Sequence, residues 1–203
     1  MRLTIAEKPS LGLAIAEVFG IKKKERGYII CANDQVVTWV FGHVYSLQNP
    51  EDYNPDYKYW NLDKLPIIPN KWEIKVSDQR GVPEQVKLIN RLIKEADSLI
   101  HAGDPDREGQ ILIDEVLLKA NVLDKKPTER IWLSAIDPVS TQKALDSMRP
   151  NTEYKPLRDS ALARMHADWL VGMNMTRAAT IIAKQKGLDP KRVLSLGRVQ
   201  TAV

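Results

Sequence analysis

Disulfide bonding has nothing to work with in this chain. Its 203 residues contain one cysteine, so an internal disulfide framework is excluded, which suits a reducing compartment. Cys31 stands in the apolar run YIICA and reads as a small buried hydrophobe rather than a nucleophile. Histidine is scarce as well: His43, His101 and His166 are scattered without metal-ligand spacing and read as structural. No apolar run approaches the roughly 20 residues that span a bilayer. The opening MRLTIAEKPS has too short an apolar stretch for a signal peptide, so the cytoplasm is the expected location. The sequence also has no internal repeat, no low-complexity tract, no phosphate-cradling glycine loop, no nucleophile elbow and no zinc motif.

What is present is ordinary for a folded domain, with 43% hydrophobic and 28% charged residues. The length allows one sizeable domain, or one domain and part of another. A net charge of +4 and a pI of about 9.1 permit a polyanionic partner without demanding one. The run KKKER at 22–26 reads as a solvated turn. The five tryptophans, at 39, 60, 72, 132 and 169, show no periodic platform and read as core or core edge.

Along the chain, RLTIA (2–6) reads as a strand and PSLGLAIAEVFG (9–20) as a helix opened by Pro9 and Ser10 and stopped by Gly20. GYIICAN and QVVTWVFG are β-rich runs joined at NDQ, as in a hairpin. Residues 46–71 carry four prolines and read as an irregular excursion. Val86, Ile89, Leu92, Ile93 and Ala96 have helical spacing, predicting a helix over 83–96. Then follow a strand (97–103), a helix (109–120), a strand (129–133) and a helix over 137–148 started at Asp137-Pro138. Alternating strands and helices predict an α/β fold with a largely parallel sheet. Beyond RPNTEYKP (149–156) there is one long helical stretch, 157–185, without β signal. A domain boundary is therefore expected near 150, dividing the chain into 1–150 and 151–203.

The chemistry concentrates in HAGDPDREGQ, residues 101–110. In extended chain, side chains two apart point the same way, so Asp104, Asp106 and Glu108 converge just after a strand and at a helix start. Open α/β sheets place their sites at that strand end, and Glu7, at the end of the first strand, reaches the same edge. Carboxylates crowded into one crevice either hold protons or share a cation. With an all-oxygen donor set the cation would be magnesium or a similar hard ion. Two other readings stay open. One is a polar turn with acids at a helix N-terminus. The other is a calcium loop, since DPDREGQILIDE has acids at its first, third and fifth positions, glycine at its sixth and Glu115 at its twelfth. Against the loop stand the strand-like SLIHA where an entering helix is needed, Pro105, and the lack of a second loop.

AEKPS together with AGDPDREGQ resembles the Toprim domain of type IA DNA topoisomerases, in the Lys-Pro-Ser and Gly-Asp-Pro forms of the topoisomerase III branch. FGHV (41–44) is similar to that family's Gly-His strand end. ARMHADWLVGMNMTRA (163–178) and SLGRVQTA (195–202) resemble the opening of its DNA-binding domain. The Toprim acids are shared with primases and some nucleases, which form the enzyme alternative; SLGRVQT is far more specific. The resemblance implies a Rossmann-like Toprim domain with its sheet flanked by helices, followed by an incomplete, mainly helical region. It implies that Glu7 is general acid and base at the 3′ oxygen, that Lys8 neutralises the scissile phosphate, and that Asp104, Asp106 and Glu108 bind Mg2+. It further implies an ion pair of Arg164 with Asp168 that aims the guanidinium at a DNA phosphate, and single-strand contacts from Ser195, Arg198 and Gln200.

Enzymes of this family cut one DNA strand with a tyrosine, pass a strand and religate, relaxing or decatenating DNA without ATP. The six tyrosines here, at 28, 45, 53, 57, 59 and 154, have no context resembling that nucleophile. The expectation is therefore an N-terminal part of a cytoplasmic, nucleoid-associated enzyme. Alone it binds Mg2+ and single-stranded DNA without cleaving, and its partners are DNA and the missing C-terminal domains.

Overall fold

A computed structural model describes residues 1–188 and 192–197. Contacts divide the chain into two compact units, one of residues 1–46 and 76–161, the other of 47–75 and 162–203. The excursion at 46–71 is thus grouped with the C-terminal stretch, an arrangement that sequence order alone does not suggest.

The first unit is built on a seven-stranded sheet. Its strands are β1 (Arg2–Ala6), β2 (Ile21–Glu25), β3 (Tyr28–Cys31), β4 (Gln35–Trp39), β7 (Ser98–Ala102), β8 (Thr128–Arg130) and β9 (Arg149–Pro150). They lie in the order β2-β3-β4-β1-β7-β8-β9. The middle four, β4-β1-β7-β8, are parallel, while β2, β3 and β9 add on antiparallel. Short strands β5 (Tyr45–Leu47) and β6 (Ile74–Val76) form a separate pair, where the chain passes between the units. Of these, β2, β5, β6 and β9 are unexpected. Residues 21–25 are not the solvated turn expected for KKKER: Lys22, Lys23 and Lys24 are exposed but belong to a strand paired with β3.

Central β1 is buried on both faces through Leu3, Thr4, Ile5 and Ala6, as a parallel sheet covered by helices requires. Helix α1 (Pro9–Phe19) begins with proline at its first position and ends at Gly20, whose φ of 81° suits a residue without Cβ. Leu11, Ile15 and Ala16 of α1 share one core cluster with Ala6, Val37, Ile100, Ile131 and Leu145, the last from α5 (Pro138–Asp146). The β3–β4 hairpin turns at Asn33 and Asp34, both at positive φ (52° and 56°), the geometry that two-residue hairpins favour. Helix α3 (Val82–Glu95) buries Val86, Ile89, Leu92 and Ile93 on the face that their spacing predicts.

Helix α4 (Arg107–Lys119) follows β7. Its helical residues include Glu115, which is 3% exposed. The stretch from Asp104 to Glu115 is therefore a turn running into a helix, and the calcium-loop alternative lacks the loop it needs. Cys31 is buried, its thiol pushed up by that burial, in keeping with a packing role.

In the second unit the excursion forms α2 (Pro50–Tyr53) and two single 3-10 turns. The long helix α6 (Lys155–Gln185) begins within the first unit and continues in the second. Trp72 stacks on His166 with ring centroids 4.1 Å apart and meets Trp169 edge-on at 5.4 Å. The Asn174 amide both accepts from the backbone of Ile67 (2.6 Å) and donates to it (3.0 Å).

Candidate functional site

Parallel register fixes which residues meet at the carboxyl edge of the sheet. Ala6 lies opposite Trp39 on one side and Ala102 on the other, and His101 lies opposite Arg130. The residues that follow these pairs therefore line one edge: His43 after β4, Glu7 and Lys8 after β1, Asp104 to Glu108 after β7, and Trp132 after β8. Four distant stretches of sequence converge there because parallel strands share a direction.

The turn after β7 is held to a close tolerance. A Cβ at Gly103 would stand 2.0 Å from the carbonyl oxygen of Gly109, and one at Gly109 would stand 2.4 Å from the backbone N and O of Asp104. Both positions need glycine because backbone passes against backbone. The backbone N–H of Asp104 donates to Glu7 Oε2 at 2.7 Å. Burial, and then the neighbouring Asp104 and Asp106 charges, hold the Glu7 carboxyl above its ordinary range, although the Asp104 N–H and Lys8 oppose the rise. Lys8 Nζ donates to Asp104 Oδ2 at 2.7 Å, and that bond keeps the ammonium above its usual value.

The other two acids have separate partners. Asp106 caps α4, with Oδ1 accepting from the N–H of Gly109 at 2.7 Å. Glu108 Oε1 accepts from Nε2 of His43. Each of these bonds uses a single carboxylate oxygen. The structure thus brings Glu7, Lys8 and Asp104 into direct contact and leaves Asp106 and Glu108 beside them on partners of their own. Among the described residues, no group of three or more His, Cys, Asp or Glu side chains is gathered closely enough to hold a metal ion.

Beneath the turn lies a buried polar network that the sequence did not disclose. Fully buried Arg130 donates to the carbonyls of Gly103 (2.7 Å), Asp104 (2.7 Å) and Ile131 (2.6 Å) and to Gln110 Oε1 (2.9 Å). Burial lowers its guanidinium to about 10, which leaves it charged at neutral pH. His101 accepts from the N–H of Gly103 at Nδ1 and donates from Nε2 to the Gln110 carbonyl. Burial and then Arg130 push it well below the ordinary histidine range, so it is neutral and structural, as expected. Asp114 accepts from Gln110 and Asn151 at 2.9 Å each. Arg158 of α6 lies 3.7 Å from Asp114 and forks onto Asp124. His43, by contrast, belongs to the site rather than to the core. The FGHV strand end was its only signal in the sequence.

In the second unit, Arg164 and Asp168 form an ion pair at 3.7 Å, one turn apart on α6. Ser195 lines a cleft of about 450 Å³ with Trp60, Thr176, Arg177 and Leu196. Arg177 donates to the carbonyl of Tyr57 at 2.7 Å, and its guanidinium lies 5.2 Å from the ring centroid of Trp60. Thr176 Oγ1 bonds both the N–H and the carbonyl of Leu196, which fixes the segment carrying Ser195. Arg198 and Gln200 lie outside the described residues.

A parallel α/β sheet with a glutamate closing its first strand and an acidic turn after a neighbouring parallel strand defines a Toprim domain. The chain belongs to the Toprim family, whose model matches residues 2–136, and residues 152–203 match the family model described as DNA topoisomerase. Among curated proteins, all of this chain aligns with DNA topoisomerase 3 of Haemophilus influenzae at 48% identity and with that of Salmonella typhimurium at 47%, covering 31% of each. DNA topoisomerase 3 of Bacillus subtilis is 36% identical over 98% of this chain and 26% of its own length. The chain thus spans less than a third of the length of these relatives. Among the described residues no helix is long and apolar enough to cross a membrane.

Proposed function

We propose that this chain is the Toprim-bearing part of a type IA DNA topoisomerase of the topoisomerase III kind, which cuts one DNA strand, passes another and reseals the break. The observation that carries the reading is the contact of Glu7, Lys8 and Asp104 at the sheet edge, in a chain whose relatives are DNA topoisomerases 3. Residues 1–150 supply the site, and 151–203 begin the DNA-binding region.

Glu7 is the proton carrier. A carboxyl held above its ordinary range is better suited than an ordinary glutamate to give a proton to the leaving 3′ oxygen and take it back on resealing. Lys8 presents a fixed positive charge to the scissile phosphate. Asp104, Asp106 and Glu108 are not gathered on a common point as they stand, but each keeps one carboxylate oxygen outside the bonds described above, and together they would supply the oxygen donors that a hard divalent cation, here Mg2+, prefers. When bound, that cation offsets phosphate charge during cleavage. Arg164, steadied by Asp168, binds backbone phosphate, and Ser195, Arg198 and Gln200 contact the single strand. The nucleophilic tyrosine comes from domains beyond this chain, which alone binds Mg2+ and single-stranded DNA and cuts nothing. The enzyme works at the nucleoid in the cytoplasm.

Calorimetric titration with magnesium and with calcium tests the reading. Weak magnesium binding that the double variant Asp104→Ala/Asp106→Ala abolishes is expected, along with strand cleavage once the tyrosine-bearing domains are restored. Magnesium-dependent nicking by the 203-residue chain alone would overturn the assignment in favour of a nuclease.

A further inference from the structure

The carboxyl edge carries an aromatic feature that the cutting chemistry does not use. Trp132 follows β8 at the same edge of the sheet, just after Ile131, whose backbone N–H still donates to the His101 carbonyl. Its ring is stacked on Tyr154, with centroids 5.4 Å apart and planes 13° from parallel, yet 42% of the residue remains exposed. Tyr154 covers part of the ring and Arg130 approaches it, and the rest of the residue stays open to solvent. The Arg130 guanidinium sits 5.2 Å from the Trp132 centroid and 5.8 Å from that of Tyr154 while also holding the carbonyls of Gly103 and Asp104. Ring and acid turn thus share one buried anchor. Tyr154 precedes α6, whose Arg158 is tied to Asp114 and Asp124.

A large aromatic surface left open to water costs solvation free energy that a flat apolar partner recovers. We propose that Trp132 is a stacking platform for one nucleobase of the single-stranded DNA whose phosphate the acid turn handles. The inference rests on the function proposed above and adds a contact that sets the strand's position at the site. Stacking on an exposed ring is tolerant of base identity, because every base has a π-face. The platform therefore fixes where the strand lies, not which sequence is cut.

The test is anisotropy of a short fluorescein-labelled oligothymidylate with the whole chain, set against an abasic oligomer of equal length and repeated across a salt series. Trp132→Ala should weaken oligothymidylate binding by about tenfold, and Trp132→Phe should restore most of it. The slope of log K against log salt should not change, since no phosphate contact is removed. On the abasic oligomer, wild type and Trp132→Ala should bind alike. Unchanged oligothymidylate binding by Trp132→Ala overturns the platform and leaves the DNA reading standing. Equal losses on both probes, or a shallower salt slope, also overturn it, by making Trp132 a support of the fold or of a phosphate contact. A wild-type chain that binds neither probe overturns the DNA reading itself, and the platform with it.

Discussion

Glu7 and Asp104, 97 positions apart, are joined by a 2.7 Å hydrogen bond from the backbone N–H of the second to the carboxylate of the first. The bond sets the proton-carrying carboxyl against the turn that bears the other acids. Glu7→Gln retains an oxygen to accept that N–H but cannot exchange a proton. It should leave the melting temperature unchanged or slightly raised, because the ionised carboxylate it replaces is disfavoured at this place. Strand cleavage by the assembled enzyme should fall by about 10²- to 10⁴-fold. Thermal melting and a cleavage assay on the same preparation check both halves.

Gly109→Ala tests the close passage of backbone at the acid turn. Its Cβ would stand 2.4 Å from the backbone N and O of Asp104, where no flexible side chain can give way. A loss of about 3 kcal/mol is expected, read by urea denaturation, together with loss of magnesium binding in the fraction that still folds.

Arg130→Ala removes the donors for three main-chain carbonyls in a buried place. The expected cost is about 3–5 kcal/mol. Arg130→Lys keeps the charge but not the planar fork, so it should recover only part of that loss. Full recovery by lysine in denaturation experiments would mean that charge, rather than the fork, holds the turn.

Glu115 gives the fold a pH dependence. Its carboxyl is buried, its Oε2 has no hydrogen-bond partner, and burial followed by Glu108 raises it from 4.5 to about 8. Between those values the unfolded chain binds fewer protons than the folded one, so the Glu115 contribution to stability falls as pH rises from about 4.5 to about 8. Glu115→Gln should remove this slope and stabilise the protein by up to a few kcal/mol at pH 8, with little effect near pH 4. Melting curves at the two pH values decide it.

The elements with strong internal periodicity were legible from sequence: β1, α1, the β3–β4 hairpin, α3, β7 and α4 all fall within a few residues of expectation. Strand β2 was not, because Ile-Lys-Lys-Lys-Glu has no apolar alternation and owes its conformation to pairing with β3. The acids of the site were legible because their spacing is local. Arg130, Gln110 and His43 act through partners 20 to 65 positions away, and nothing in their neighbours announces such contacts. Trp132, read with the other tryptophans as core or core edge, is instead 42% exposed.

The lysines of β2 have a consequence at the border of the sheet. A terminal strand offers unpaired main-chain groups to any extended segment that drifts against it, and that is how soluble domains begin to form fibres. Here three consecutive ammonium groups stand along one border. The other border is β9, a two-residue strand whose second residue, Pro150, has no N–H to offer. Each border thus discourages templated growth by its own means, one by charge and the other by brevity and a missing donor.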